Sequence, residues 1–125
     1  SLSSSVNAAA QFAATEAING KQDAVDKMRA AYEERRNYLV EHLNQIKGMS
    51  CIYPEGAFYA FANIKESGMS SFAFANRLIE ECQIVTTPGT AFGEAGEGFI
   101  RISFASGMPI LEEAISRLQR KLGKK

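Results

Sequence analysis

Residues 21–47 place Val25, Met28, Tyr32, Leu39, Leu43 and Ile46 at mostly three- and four-residue spacing, with charges such as Glu33, Glu34 and Arg36 between them. That period gathers the apolar side chains into one stripe of a helix. Gly48 follows as its stop, because glycine enters left-handed backbone without steric cost. At about 1.5 Å per residue such a helix runs roughly 40 Å. A compact domain built from a chain of 125 residues does not need that length for itself, so the helix is expected to serve as a spine between domains.

Ahead of it, residues 7–19 (NAAAQFAATEAIN) are rich in Ala, with Phe12 and Ile18 among small residues, and Gly20 terminates a second helical pattern. The chain starts with Ser, and the polar SLSSSVNAAAQ leads straight into this pattern. We read the chain as a piece of a longer protein.

Beyond Gly48 the period changes. Met49, Cys51, Ile52 and Tyr53 precede a break at Pro54-Glu55-Gly56, and residues 57–64 (AFYAFANI) follow, which predicts two short strands joined by a tight turn. Ser70 or Ser71 then caps a helix through Phe72, Phe74, Ala75, Leu78 and Ile79, with Glu80 and Glu81 closing its polar face. A short strand is expected at residues 84–86, and it runs into the loop TPGTAFGEAGEG. Residues 99–105 (FIRISFA) alternate strictly: Phe99, Arg101, Ser103 and Ala105 fall on one face, while Ile100, Ile102 and Phe104 fall on the other, the core face. A last amphipathic helix is expected over residues 110–122, with Leu111, Ala114, Ile115 and Leu118 in its stripe and Arg120-Lys121 near its C-terminal dipole. The predicted fold class is therefore α/β (α+β), a small mixed sheet covered by helices. The chain is one domain, with residues 1–20 a helical lead-in, 21–47 the long helix and 49–125 the α/β core.

Charge excludes some functions. Fourteen basic residues balance fourteen acidic ones, so no electrostatic case exists for a nucleic-acid or acidic lipid partner. No apolar run approaches the roughly 20 residues that span a bilayer, and a soluble protein is expected. Cys51 and Cys82 lie far apart with no second Cys or His nearby. That pattern suits neither a metal knuckle nor a disulfide scaffold, and it suits buried, reduced thiols in the cytoplasm. His42, the sole histidine, reads as a half-buried helix residue, so no Ser-His-Asp set can be assembled. Phe58, Tyr59 and Phe61 read as core and sheet-face packing.

Arg101 is the one polar oddity. A guanidinium keeps its charge, so on a strand beside a loop it needs water, an acid partner or an anionic ligand. Position alone leaves a surface or salt-bridge role and a carboxylate-binding role both open. The neighbouring loop is no phosphate cradle: Gly93, Gly96 and Gly98 lead into a strand instead of a helix N-terminus, and no Lys-Ser or Lys-Thr pair follows. Turn-forming glycines, in a flexible cover over a neighbouring cleft, are the expectation there.

Three segments in order, PEGAFYAF at residues 54–61, VTTPGTAFG at 85–93 and GFIRISFA at 98–105, resemble the C-terminal small domain of fold type I, class I and II aminotransferases, the aspartate aminotransferase family. SSSVNAAAQFAATEAI also looks like the segment leading into that family's interdomain helix, so the resemblance covers essentially the whole chain. It implies that Arg101 binds the α-carboxylate of an amino-acid substrate. It further implies a full-length parent that uses pyridoxal 5'-phosphate, exchanges an amino group between an amino acid and a 2-oxo acid, and works as a homodimer. The family's Schiff-base lysine, its pyridine-nitrogen acid, its ring-oxygen tyrosine and its phosphate cup all precede residue 1. None of Lys21, Lys27, Lys47 or Lys65 lies in a matching motif, no catalytic or metal residue is assigned, and the isolated chain is expected to be inactive. Many relatives carry Ser-Asn where this chain reads Ser-Ser-Ser-Val-Asn, so no contact is transferred to Ser4, Ser5 or Asn7. Two alternatives remain on the same residues: another fold type I enzyme such as a β-lyase, and a non-catalytic α/β binding module.

Overall fold

The computed structural model describes residues 22–54 and 58–125. The helical lead-in before Gly20, Lys21 and the Glu55-Gly56-Ala57 part of the expected turn lie outside the described residues. The long amphipathic stretch forms α1 (Gln22–Leu43). Only Leu39, Val40 and Leu43 in its last turns are buried, whereas Val25, Met28 and Tyr32 higher up the same stripe are half-buried.

The helix ends at Leu43, short of the Gly48 stop that its periodicity predicts. Asn44 is the reason. Its Nδ2 donates to Val40 O at 3.0 Å and to Cys51 O at 2.8 Å, while its Oδ1 accepts from Cys51 N at 2.8 Å. The amide thereby pairs with Cys51 as a neighbouring strand would, and a short side chain of this kind competes with continued helix. Gly48 still takes the left-handed conformation, φ +84°, one turn later.

The sheet is built from β1 (Ser50–Cys51), β2 (Tyr59–Asn63), β3 (Thr87–Pro88) and β4 (Phe99–Ser103), in the order β1-β2-β4-β3. Every pairing among these strands is antiparallel, which corrects the mixed sheet expected above within an α/β class that holds. The β1–β2 connection is wider than a tight turn, since Cys51 pairs with Ala62 and Ile52 is 85% exposed. The third strand is also displaced: it lies at Thr87–Pro88, not at residues 84–86. Ile84 N donates to Leu78 O and so completes the turn before it. Pro88, lacking an N–H, sits on an edge strand, where a missing donor breaks no ladder.

Between these strands, α2 (Ser71–Arg77) runs directly into a π-helical turn (Leu78–Cys82), and α3 (Met108–Leu122) closes the chain. Ser70 is the N-cap of α2, its hydroxyl accepting from Ala73 N at 3.1 Å. Gln83 ends the π turn in left-handed backbone, φ +58°. One face of the sheet, with Ala60, Ala62, Ile100 and Ile102, is sealed by Leu39 and Leu43 of α1, Phe74 and Leu78, and Leu111, Ile115 and Leu118 of α3. The other face is left open. The alternation of β4 stops at Ser103, whose hydroxyl accepts from Ala105 N, and Ala105 is consequently buried where the extended pattern places it with Arg101. Arg35 of α1 donates to Ala105 O at 3.2 Å and ties the middle of the long helix to the end of that strand.

Asn44→Ala removes three hydrogen bonds and orphans the Cys51 N–H. Chemical unfolding of the purified chain is expected to show a loss of about 1–3 kcal/mol with an unchanged denaturant slope.

Candidate functional site

Period-two alternation in β4 sends Ile100 and Ile102 into the core and lifts Phe99, Arg101 and Ser103 to the open face. Arg101 stands in the middle, opposite Phe61 of β2 and Thr87 of β3. Its guanidinium carbon lies 4.0 Å from the ring centroid of Tyr59 and 4.4 Å from that of Phe92. Phe92 in turn meets Phe61 edge to face at 5.7 Å. Among the described residues no carboxylate pairs with Arg101. The ion pairs there are Asp26–Arg29, Arg77–Glu81 and Glu113 with Arg117 and Arg120, all on helices.

The rings contact the guanidinium through their faces, an attraction worth about 0.5–2 kcal/mol depending on desolvation. That contact consumes none of the N–H donors, because a ring face carries no lone pair to accept in-plane hydrogen bonds. Arg101 is thus half-buried and held in place, with donors left over. A planar fork in that state matches a carboxylate or another planar anion.

Of the surface or salt-bridge role and the carboxylate-binding role that the sequence leaves open for Arg101, the salt-bridge part of the first has no support among the described residues. Phe58 packs with Tyr32 and Phe104, as core packing predicts. Tyr59 and Phe61 stand on the opposite face beside Arg101. Phe92, which the sequence pattern does not single out, completes the group; the only hint of it is its position in the loop that leads into the strand bearing the arginine.

The loop after β3 is folded into turns. It makes two 3-10 turns, Gly89–Phe92 and Glu94–Gly96. Gly89 and Gly96 meet backbone to backbone, so a Cβ on either would overlap the other, and one on Gly89 would also come within 2.8 Å of Phe99 O. These glycines serve close packing rather than open-chain freedom. Glu97 follows, its Oε1 accepting from Ser71 N and its Oε2 from Ser71 Oγ, each at 2.9 Å.

The other candidates take their expected places. His42 stacks on Tyr38 at 4.0 Å and its Nδ1 lies 2.8 Å from Tyr38 O. Cys51 and Cys82 are free and buried. Burial pushes the Cys51 thiol up to about 11 and raises that of Cys82, with Glu81 adding to the rise. A thiol so protonated is a poor nucleophile at neutral pH. Lys27, Lys47 and Lys65 are exposed, and Lys65 lies over the Phe99 ring, 5.1 Å from its centroid. No helix among the described residues is long and apolar enough to cross a membrane. A cleft of about 460 Å³ opens near β4 between Ile84, Val85, Pro109 and Ile110; its walls are mainly aliphatic and do not include Arg101.

Comparison with known proteins gives a consistent result. A family model described as aminotransferase class I and II matches residues 1–118. The chain is 44% identical, over 92% of its length, to aromatic-amino-acid aminotransferase 2 of Thermococcus litoralis, and covers 30% of that protein. It is 42% identical over 90% of its length to an aspartate aminotransferase of Pyrococcus horikoshii, of which it covers 29%. Among solved structures, an alanine aminotransferase from Pyrococcus furiosus superposes with a TM-score of 0.79 at 35% identity, over 90% of this chain and 29% of that one. The chain thus spans about 30% of the length of the curated relatives it matches.

Two outcomes test this geometry. Gly96→Ala has to push Gly89 aside, and thermal unfolding is expected to register a loss of about 1–3 kcal/mol, with wild-type stability refuting the close packing. Native protein at pH 7 is expected to resist alkylation at Cys51 far longer than denatured protein, as mass spectrometry would show.

Proposed function

The chain belongs to the aminotransferase class I and II family, and on that premise we propose that it forms the small domain of a pyridoxal-phosphate-dependent aminotransferase in which Arg101 binds the substrate α-carboxylate. The observation that carries the reading is the state of that guanidinium: fixed between Tyr59 and Phe92, on the open face of the sheet, with no acid partner among the described residues. Two parallel N–H···O bonds from Arg101 hold the carboxylate flat and thereby fix the direction of the Cα–H bond. The aromatic faces shield part of the guanidinium from water, which strengthens the pair.

The described residues do not themselves fit the cofactor. The exposed Lys27, Lys47 and Lys65 are not among the residues set against Arg101. The glycine loop turns its backbone inward, Gly89 against Gly96, and so offers a phosphate no cradle. We assign the lysine attachment and the phosphate site to the remainder of the full-length protein, and the isolated chain is accordingly inactive. Amino acids and 2-oxo acids are the proposed substrates, with a homodimer as the working unit. The cytoplasm is the proposed location, in keeping with two free, buried thiols.

In the full-length protein, Arg101→Ala is expected to leave the cofactor absorbance unchanged and to lower kcat/KM roughly thirtyfold to several-thousandfold, the equivalent of about 2–5 kcal/mol. Unchanged kinetics would overturn the carboxylate role. Turnover that depends on an added 2-oxo acid, without release of ammonia or pyruvate, separates an aminotransferase from a lyase on the same scaffold.

A further inference from the structure

The hydrogen bonds of Glu97 reach back to a different layer of the molecule. Ser71, their donor, is fully buried in the first turn of α2. Backbone N–H groups in a first helical turn have no partner within the helix. Ser70 caps by accepting from Ala73 N, which leaves the Ser71 N–H to be satisfied from outside. Glu97 supplies that acceptor with Oε1 and takes the buried Ser71 hydroxyl with Oε2, both at 2.9 Å. Thr90 Oγ1, from the opposite side of the loop, lies 3.4 Å from the same hydroxyl. Ser71 therefore holds both arms of the 89–97 loop at one point.

What that loop carries is Phe92, one of the two rings set against the Arg101 guanidinium. Its ends are anchored in β3 and β4, the strands on which Thr87 and Arg101 face each other. The packing of Gly89 on Gly96 closes the loop upon itself but does not join it to the helical layer. Glu97 makes that link. We infer that Glu97, through Ser71, is a positioning residue: it latches the loop onto α2 so that Phe92 stays against Arg101 and the guanidinium keeps one orientation for its carboxylate ligand. This inference rests on the carboxylate-binding role proposed for Arg101; the latch itself does not.

Two measurements keep these levels apart. Hydrogen exchange on the full-length protein reads the latch directly: Glu97→Ala is expected to speed amide exchange over residues 89–97 about tenfold or more, because local opening replaces a held loop, while amides of β2 and α3 keep their rates. Unchanged exchange in the loop overturns the latch. Steady-state kinetics then read its purpose. An orientation needed equally by bound substrate and transition state appears in KM, so KM for the amino acid is expected to rise about tenfold with kcat within about twofold. Glu97→Gln, which keeps an acceptor for Ser71 N and can donate to Ser71 Oγ, is expected to restore most of that loss. Faster loop exchange with an unaltered KM overturns the positioning role, as does a loss that Gln fails to rescue. Should Glu97→Ala not fold, Ser71→Ala, which loses the hydroxyl bond and keeps the backbone N–H bond to Oε1, is expected to speed loop exchange and raise KM in the same direction by a smaller factor, and no change in either overturns the latch. The reading of Arg101 fails separately, if Arg101→Ala leaves kcat/KM untouched while Glu97→Ala still loosens the loop.

Discussion

The ladder between β2 and β4 fixes nearly everything else in the molecule. Five residue pairs run antiparallel from Tyr59↔Ser103 to Asn63↔Phe99, and this register decides which side chains share a face. Shifting it by one residue would expose Ile100 and Ile102 and drive a guanidinium into the core, where an unpaired charge costs several kcal/mol or more. The aliphatic face thus enforces the register, and the register in turn delivers Arg101 beside Phe61 and diagonal to Tyr59. Core packing and site construction are here two consequences of one strand.

Much of this was legible from period alone. Strict alternation in FIRISFA predicted both the buried pair and the raised arginine, and three- and four-residue spacing predicted α1 and α3. The departures arise where a side chain outvotes its local pattern. Asn44 ends α1 early by bonding a residue seven positions ahead, which no periodicity encodes. Ile84 closes the π turn with its N–H, and pairing begins three residues later than the β-branched run suggests. The sheet direction depended on how a wide connection after Cys51 returns to Ala62. Glycine spacing marked the loop as turn-rich, yet the contact of Gly89 with Gly96 is tertiary and leaves no trace in spacing.

The long helix has a divided character. Its last turns are core, with Leu39, Val40 and Leu43 buried against the sheet. The stripe above them is half-buried at Tyr32 by Phe58, at a centroid distance of 4.7 Å, and it lies within reach of β4 through the bond from Arg35 to Ala105 O. A displacement of α1 would therefore be felt at the end of the strand that bears Arg101. The coupling runs through a hydrogen bond and an aromatic contact, not through the helix terminus alone.

An arginine, rather than a lysine, is what such a face requires. An ammonium is a compact, strongly hydrated charge that makes no planar contact, and desolvating it between rings would favour loss of its proton. The guanidinium is flat and weakly hydrated, and it keeps its charge when partly desolvated, so the rings of Tyr59 and Phe92 at 4.0 and 4.4 Å can hold it without neutralising it. Because the guanidinium carbon sits over both rings, and a ring face takes up none of its in-plane N–H donors, placement and donor capacity do not compete. The aliphatic residues beneath need only keep the strand in register, which is why a charge can be carried at the centre of a sheet with no counter-ion among the described residues.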